Sequence, residues 1–230
     1  VKLQKETKSS EKGHGRWYND ACGTAFGLEL IGERWSLLIV RELMLGGRRF
    51  NDLRASLPGI SAKVLTERLE KLEDARVLVR RKLPPPASVQ IYELTEWGYL
   101  AEPAIQELGR WAATSAGHDP TLPLSPVSLM LSFRTMVDQA GVRAFAGTIG
   151  FEVGDERFVA TPGPDGLPIR RGDPASADAV FRAPAAPLIA AVFYGKAPPE
   201  SLAGEGLRVE GDRALAARFV DLFHLPEKVG

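Results

Sequence analysis

The stretch RRFNDLRASLPGISAKVLTERLEKLEDARVL, Arg48 to Leu78, reads as helix, tight turn, helix and the start of a strand. Phe50, Leu53 and Leu57 mark a short helix that Asn51 can cap, and Pro58-Gly59 breaks it. A second helix is expected from Ser61, whose hydroxyl can accept from the free amides of a first turn. Leu65, Leu69 and Leu72 then share one face. This is the layout that carries a recognition helix into the major groove of DNA.

The segment that follows extends the pattern. Val77 to Leu83 alternates apolar and basic residues, Pro84 to Ser88 makes a proline-stiffened tip, and Val89 to Leu94 returns as a second strand. A hairpin after the second helix of a helix-turn-helix is a wing. From Arg48 to Lys82 there are ten Lys/Arg against five Asp/Glu, in a chain of zero formal net charge. Such a local excess suits phosphate contacts.

Four blocks carry a family resemblance: ELIGERWSLLIVREL (Glu29 to Leu43), RRFNDLRASLPGIS (Arg48 to Ser61), VLTERLEKLE (Val64 to Glu73) and YELTEWG (Tyr92 to Gly98). In order and spacing, Cys22 to Thr114 resembles a winged-helix transcriptional regulator of the HxlR type, a relative of the MarR repressors. A single cysteine before the first helix also fits, although the family often has Cys-Pro where this chain has Cys22-Gly23. The resemblance implies a dimer on a pseudo-palindromic operator, and some members sense oxidants through a cysteine near this position.

On a helical wheel Leu65, Leu69 and Leu72 point inward, leaving Ser61, Lys63, Thr66 and Glu67 as candidate groove contacts. The Glu67 carboxylate can accept from a cytosine amino group. Arg68 falls nearer the core flank, where it can brace the domain or reach a phosphate. Arg80, Arg81, Lys82 and Gln90 are wing candidates for phosphate or minor groove, and Arg48 and Arg49 for backbone contacts ahead of the first helix.

At 230 residues the chain can hold two domains with separate cores. Residues 1–15 are polar and charged and read as a disordered tail without a secretory signal. The winged domain is expected over 16–115, a Gly/Pro/Ser linker over 116–126, and a second domain over 127–230. Eight of the ten Phe fall in that second domain, while all four Trp precede it. No apolar run approaches the roughly 20 residues of a membrane span, and one cysteine allows no internal disulfide, so a cytoplasmic location is expected.

Oligomeric state is written in the helix expected after Thr95. Trp97, Leu100, Ala104, Ile105, Leu108 and Trp111 form a stripe larger than a small winged domain can cover, so a two-fold dimer interface is expected there, together with Trp17 to Leu28. Pro103 should bend this helix or break one backbone bond.

The second domain reads as α+β: a helix over Val127 to Ala140, strands over Ala144 to Val153, Glu156 to Thr161, Gly166 to Arg170 and Ala177 to Phe181, a helix over Pro187 to Tyr194, a short strand over Leu207 to Val209, and a last helix over Ala214 to Phe223. The stretch VFRAPAAPLIAAVFYGKAPPESLAGEGLRVEGDRALAARFVDLF, Val180 to Phe223, resembles the sterol-carrier-protein type 2 fold, an antiparallel sheet with helices around an apolar tunnel. By that resemblance Phe133, Met136, Phe145, Phe151, Phe181, Leu188, Val192, Phe193, Phe219 and Phe223 would line a cavity for a hydrophobic small molecule. The same residues can equally fill an ordinary core.

No catalytic site is expected. G-x-S-x-G, H-E-x-x-H, a P-loop and a strand-anchored G-x-G-x-x-G are all missing. His14, His118 and His224 have no metal-ligand spacing, and neither metal nor cofactor is expected. The alternatives are a redox-sensing regulator acting through Cys22, and a lipid-binding or scaffold protein using the winged helix as a protein interface.

Overall fold

The computed structural model describes residues 18–229; the expected tail and Trp17 lie outside them. The first half contains α1 (Gly23–Ile31), α2 (Ser36–Leu43), α3 (Phe50–Ser56), α4 (Ala62–Asp74), β1 (Leu78–Lys82), β2 (Gln90–Leu94), α5 (Glu96–Tyr99) and α6 (Glu102–Ala113). Ser61 caps α4, its Oγ accepting from the Val64 amide at 3.2 Å. Leu65, Leu69 and Leu72 are buried as their spacing requires. The cap of α3 is Arg49 rather than Asn51: the Asp52 carboxylate reaches back to the Arg49 amide at 3.4 Å, so the helix begins two residues earlier than expected. Between α3 and α4, Gly59 has φ +92°, a conformation that glycine adopts without a Cβ clash.

β1 and β2 pair antiparallel with Leu78 opposite Leu94 and Lys82 opposite Gln90, forming the wing. The single helix expected after Thr95 is two. Thr95 Oγ1 caps the short α5 by accepting from Gly98 N at 3.0 Å. The chain then breaks at Leu100–Ala101, and Pro103 sits in the first turn of α6, where its missing N–H costs no helical bond. A Cβ on Gly98 would lie 2.1 Å from the Val77 carbonyl oxygen, so only glycine lets α5 approach the wing this closely.

The second half contains α7 (Pro126–Met136), α8 (Gln139–Ala144), β3 (Ile149–Val153), β4 (Glu156–Ala160), β5 (Ile169–Arg171), β6 (Ala179–Ala183), α9 (Ala186–Phe193), a 3-10 turn (Pro199–Glu205), β7 (Arg208–Gly211) and α10 (Arg213–Val220). The strand expected from Ala144 starts only at Ile149. The Asp138 carboxylate caps the amides of Ala140 and Gly141 and so starts α8 just before it. Strand order in the five-stranded sheet is β5-β4-β3-β6-β7. Three of its pairings are antiparallel, and the central pair β3–β6 is parallel, with Phe151 beside Phe181. α7, α9 and α10 cover the sheet through Phe133, Phe193, Phe219 and Phe223, all fully buried.

One apolar core runs through both halves, since Ile39 and Leu43 of α2 join Val127 and Leu131 of α7 in the same buried cluster. Near the C-terminus Val229 N donates to Thr114 O at 2.8 Å, and Lys228 Nζ reaches the carbonyls of Ala113 and Ser115.

Candidate nucleic-acid interface

α4 presents its polar side to solvent. Lys63 is 85% exposed and lies 3.9 Å from Glu67, which remains half-exposed; Thr66 is exposed beside them. Ser61 is exposed at the amino end, its hydroxyl already used as the cap. Arg68 takes the bracing role: Nε donates to Arg34 O at 3.1 Å and Nη1 pairs with Glu33 at 2.5 Å, tying α4 to the α1–α2 loop.

On the wing, Lys82 is exposed, Arg81 pairs with Glu93 at 2.6 Å and Arg80 with Glu73 at 2.8 Å. Arg80 also lies over the Tyr92 ring, whose hydroxyl accepts from Gln90 Nε2 at 3.3 Å. These wing cations are more than half or about a third exposed, so exchanging a carboxylate for a phosphate costs little. Arg49 is exposed at the start of α3.

Arg48 is the exception. It is 8% exposed and faces inward, with Nη1 3.4 Å from Glu42 and Nη2 2.6 Å from Glu156, so it is no backbone contact for DNA. Its partner Glu42 is fully buried in α2 and also accepts from Arg41 at 2.9 Å and from Ser125 Oγ at 2.7 Å, with Ser128 Oγ at 3.4 Å. Glu156 continues to Arg171 at 2.7 Å. This chain of charge joins the winged half to the sheet. A second link runs from Glu102 of α6 to Arg134 of α7 at 2.7 Å. Sequence reasoning passed over Glu42, although one signal was present: a carboxylate on the apolar stripe of α2, between Ile39 and Leu43.

A separate face is apolar and uncovered. Leu100 is 74% and Trp111 72% exposed, with Trp97 and Leu108 near half, and Ala104 exposed; Ile105 packs partly inward. No residue of α1 is buried, and Phe26 and Leu28 are about half exposed. Cys22 is exposed at the amino end of α1, where the Ala25 and then the Thr24 amide hold its thiol below the ordinary value.

The phenylalanines pack on one another. Phe193 lies 4.3 Å from Phe133, 5.0 Å from Phe181 and 5.1 Å from Phe223 between ring centroids, and Phe151 stacks on Phe181 at 5.7 Å. Phe145, Met136 and Leu188 are half-buried at the margin, Phe145 edge-on to Phe219. Of the ten residues expected around a ligand, Phe181 and Val192 border a cavity of about 320 Å³ between α9 and α10. Phe133, Phe151, Phe193, Phe219 and Phe223 are fully buried in the core. No helix of the described residues is long and apolar enough to cross a membrane, and no cluster of His, Cys, Asp or Glu among them could hold a metal ion.

A winged helix with an open polar recognition helix, a basic hairpin and a distinct apolar face defines the class of winged-helix DNA-binding regulators. An HxlR-like helix-turn-helix model matches residues 30–119. The chain is 41% identical over 83 residues to the HTH-type transcriptional regulator YodB of Bacillus subtilis, covering 36% of this chain and 74% of that protein. Over 150 residues it is 33% identical to the uncharacterized HTH-type transcriptional regulator Rv3095 of Mycobacterium tuberculosis, covering 65% of this chain and 89% of that one. A match of that length necessarily runs past the winged half. The solved reduced form of YodB from B. subtilis aligns at 36% identity and TM-score 0.39 over 43% of this chain and 98% of that one. The chain belongs to the HxlR family of helix-turn-helix transcriptional regulators.

Proposed function

We propose that the protein acts as a homodimer on a pseudo-palindromic operator, with α4 in the major groove and the wing on the flanking backbone. The observation that carries this reading is the pair of surfaces on one half: a polar, open α4, and an apolar face of α1, α5 and α6 left uncovered at Leu100 and Trp111. A two-fold axis through the second surface buries it and presents two copies of the first. Lys63, Thr66 and Glu67 read bases, and Arg49, Arg81 and Lys82 hold phosphates. A hydrophobic effector would occupy the cavity between α9 and α10, since the phenylalanine cluster is closed. Sequencing the genomic fragments that the purified protein retains, at two salt concentrations, tests the reading. Enrichment of an inverted repeat with arms about one helical turn apart, weakening steeply with salt, is expected. Uniform enrichment would leave the winged half as a protein interface.

One observation favours a redox reading beside it: Cys22 is exposed, and the Ala25 and Thr24 amides stabilise its thiolate. Because the pKa is lowered, the thiolate is already populated at pH values where an ordinary thiol is protonated. Alkylation of Cys22 followed against pH should reach half its maximal rate below the midpoint of a free cysteine. An ordinary midpoint, or unchanged operator binding after oxidation, rejects this route.

A further inference from the structure

An opening larger than the α9–α10 cavity lies between the halves. It is a cleft of about 770 Å³, within the size range of sites for drug-sized ligands. One wall is a stripe of α2, Trp35, Leu38 and Arg41; the second is α3 and its turn, through Asp52, Leu57 and Pro58. Leu124 and its neighbours before α7 close a third side, and Asp155 of the β3–β4 turn and Arg171 of β5 close the fourth. Neither half alone makes this space.

Charge decides the class of occupant. The guanidiniums of Arg41, Arg48 and Arg171 are held by Glu42 or Glu156 at 2.6–3.4 Å, so the floor is internally neutralised except for one positive charge. Asp52 and Asp155 line the same cleft, exposed and in no ion pair among the described residues. Among the lining residues three carboxylates, Asp52, Asp155 and Glu156, meet three guanidiniums, and Asp52 and Asp155 are the two carboxylates in no ion pair. Trp35 supplies an aromatic wall. Its backbone is held at φ +81°, an outlier for a bulky residue, and the adjacent Arg34 lies 5.3 Å from its ring centroid.

We infer that the cleft binds a flat, lipophilic organic cation, its rings against Trp35, Leu38 and Leu124 and its charge toward Asp52 and Asp155. This site is separate from the α9–α10 cavity. Because Asp52, Leu57 and Pro58 belong to the helix-turn-helix and Asp155 to the sheet, an occupant that prefers one relative placement of the halves shifts the population of that placement.

The test uses the whole 230-residue chain without DNA, so that a failure of operator binding does not bear on it. Berberine, a planar permanent cation, is titrated by calorimetry alongside 9-anthracenecarboxylate, a planar anion. Saturable one-to-one binding of berberine alone is expected. The double variant Asp52→Asn/Asp155→Asn, exposed positions whose folding is checked by circular dichroism, should weaken it about tenfold, as two partly screened ion pairs would. Trp35→Phe should weaken it further, and Ala217→Trp, which fills the α9–α10 cavity, should leave it unchanged. Binding of the anion instead, absence of berberine binding, insensitivity to the Asp substitutions, or loss with Ala217→Trp overturns the assignment.

Discussion

Replacing Glu42 by Ala should be among the most damaging single changes in this chain. The carboxylate is fully buried and accepts from two arginines and Ser125. Its loss leaves Arg48, itself 8% exposed, with Glu156 as its remaining carboxylate partner. Removing one partner of a buried ion pair costs about 3–5 kcal/mol, because the remaining charge stays desolvated. For a chain of this size each kcal/mol lowers Tm by about 2–4 °C, so a drop of roughly 6–20 °C is expected. Urea denaturation followed by tryptophan fluorescence measures the free energy directly. A double variant separates charge from volume: Glu42→Met with Arg48→Met removes both buried charges, and should be more stable than Glu42→Met alone. A loss below about 1 kcal/mol for Glu42→Ala, or a double variant no better than the single, would refute the view that a desolvated charge holds the halves together.

Three further outcomes are expected. Leu100→Glu places a charge on the uncovered apolar face and should convert a dimer to a monomer in sedimentation velocity, with far-UV circular dichroism unchanged because the side chain is 74% exposed. Lys63→Ala, at an 85% exposed base-reading candidate on α4, should cost about 1–3 kcal/mol in operator binding and relax specificity at one position, read by binding to operators varied base by base. Phe193→Ala should cost about 3–5 kcal/mol in urea denaturation, since its ring is fully buried among Phe133, Phe181 and Phe223; a cost near 1 kcal/mol would mean the cluster is hollow.

The first half was legible because its signals are local. Ser61 before an apolar stripe, Pro58-Gly59 between two short helices, and alternation over Val77 to Leu83 each specify a conformation within a few residues. The uncovered stripe of Trp97, Leu100 and Trp111 was legible too, since a winged half that small cannot cover two tryptophans. Harder to read was anything set by distant neighbours. Arg48 looked like a phosphate contact because its carboxylate partners come from α2 and from β4, the latter 108 residues away. The phenylalanines looked equally fit for a tunnel or a core, because periodicity shows which face turns inward and not whether the rings meet. The chain before β3 alternated like a strand, but α8, started by the Asp138 cap, takes Ala144, and residues 145–148 join it to β3.

Arg48 also shows why the second half is more than a module carried on a linker. Its backbone pairs with the wing: Arg48 N donates to Tyr92 O at 2.9 Å and accepts at its carbonyl from Tyr92 N at 2.8 Å. The next residue, Arg49, caps α3, and the Arg48 side chain ends on Glu156 of the sheet. One residue therefore touches the wing, the entry to the helix-turn-helix and the second half. A shift of β4 relative to α2 must either stretch the Arg48–Glu156 pair or carry Arg48 with it, and moving Arg48 moves β2 and the start of α3 together. Those are the elements that set where the wing lies relative to α4. A long flexible linker could not transmit such a shift, whereas a largely buried ion pair with backbone bonds on the other side can, because breaking it leaves a buried charge without its partner.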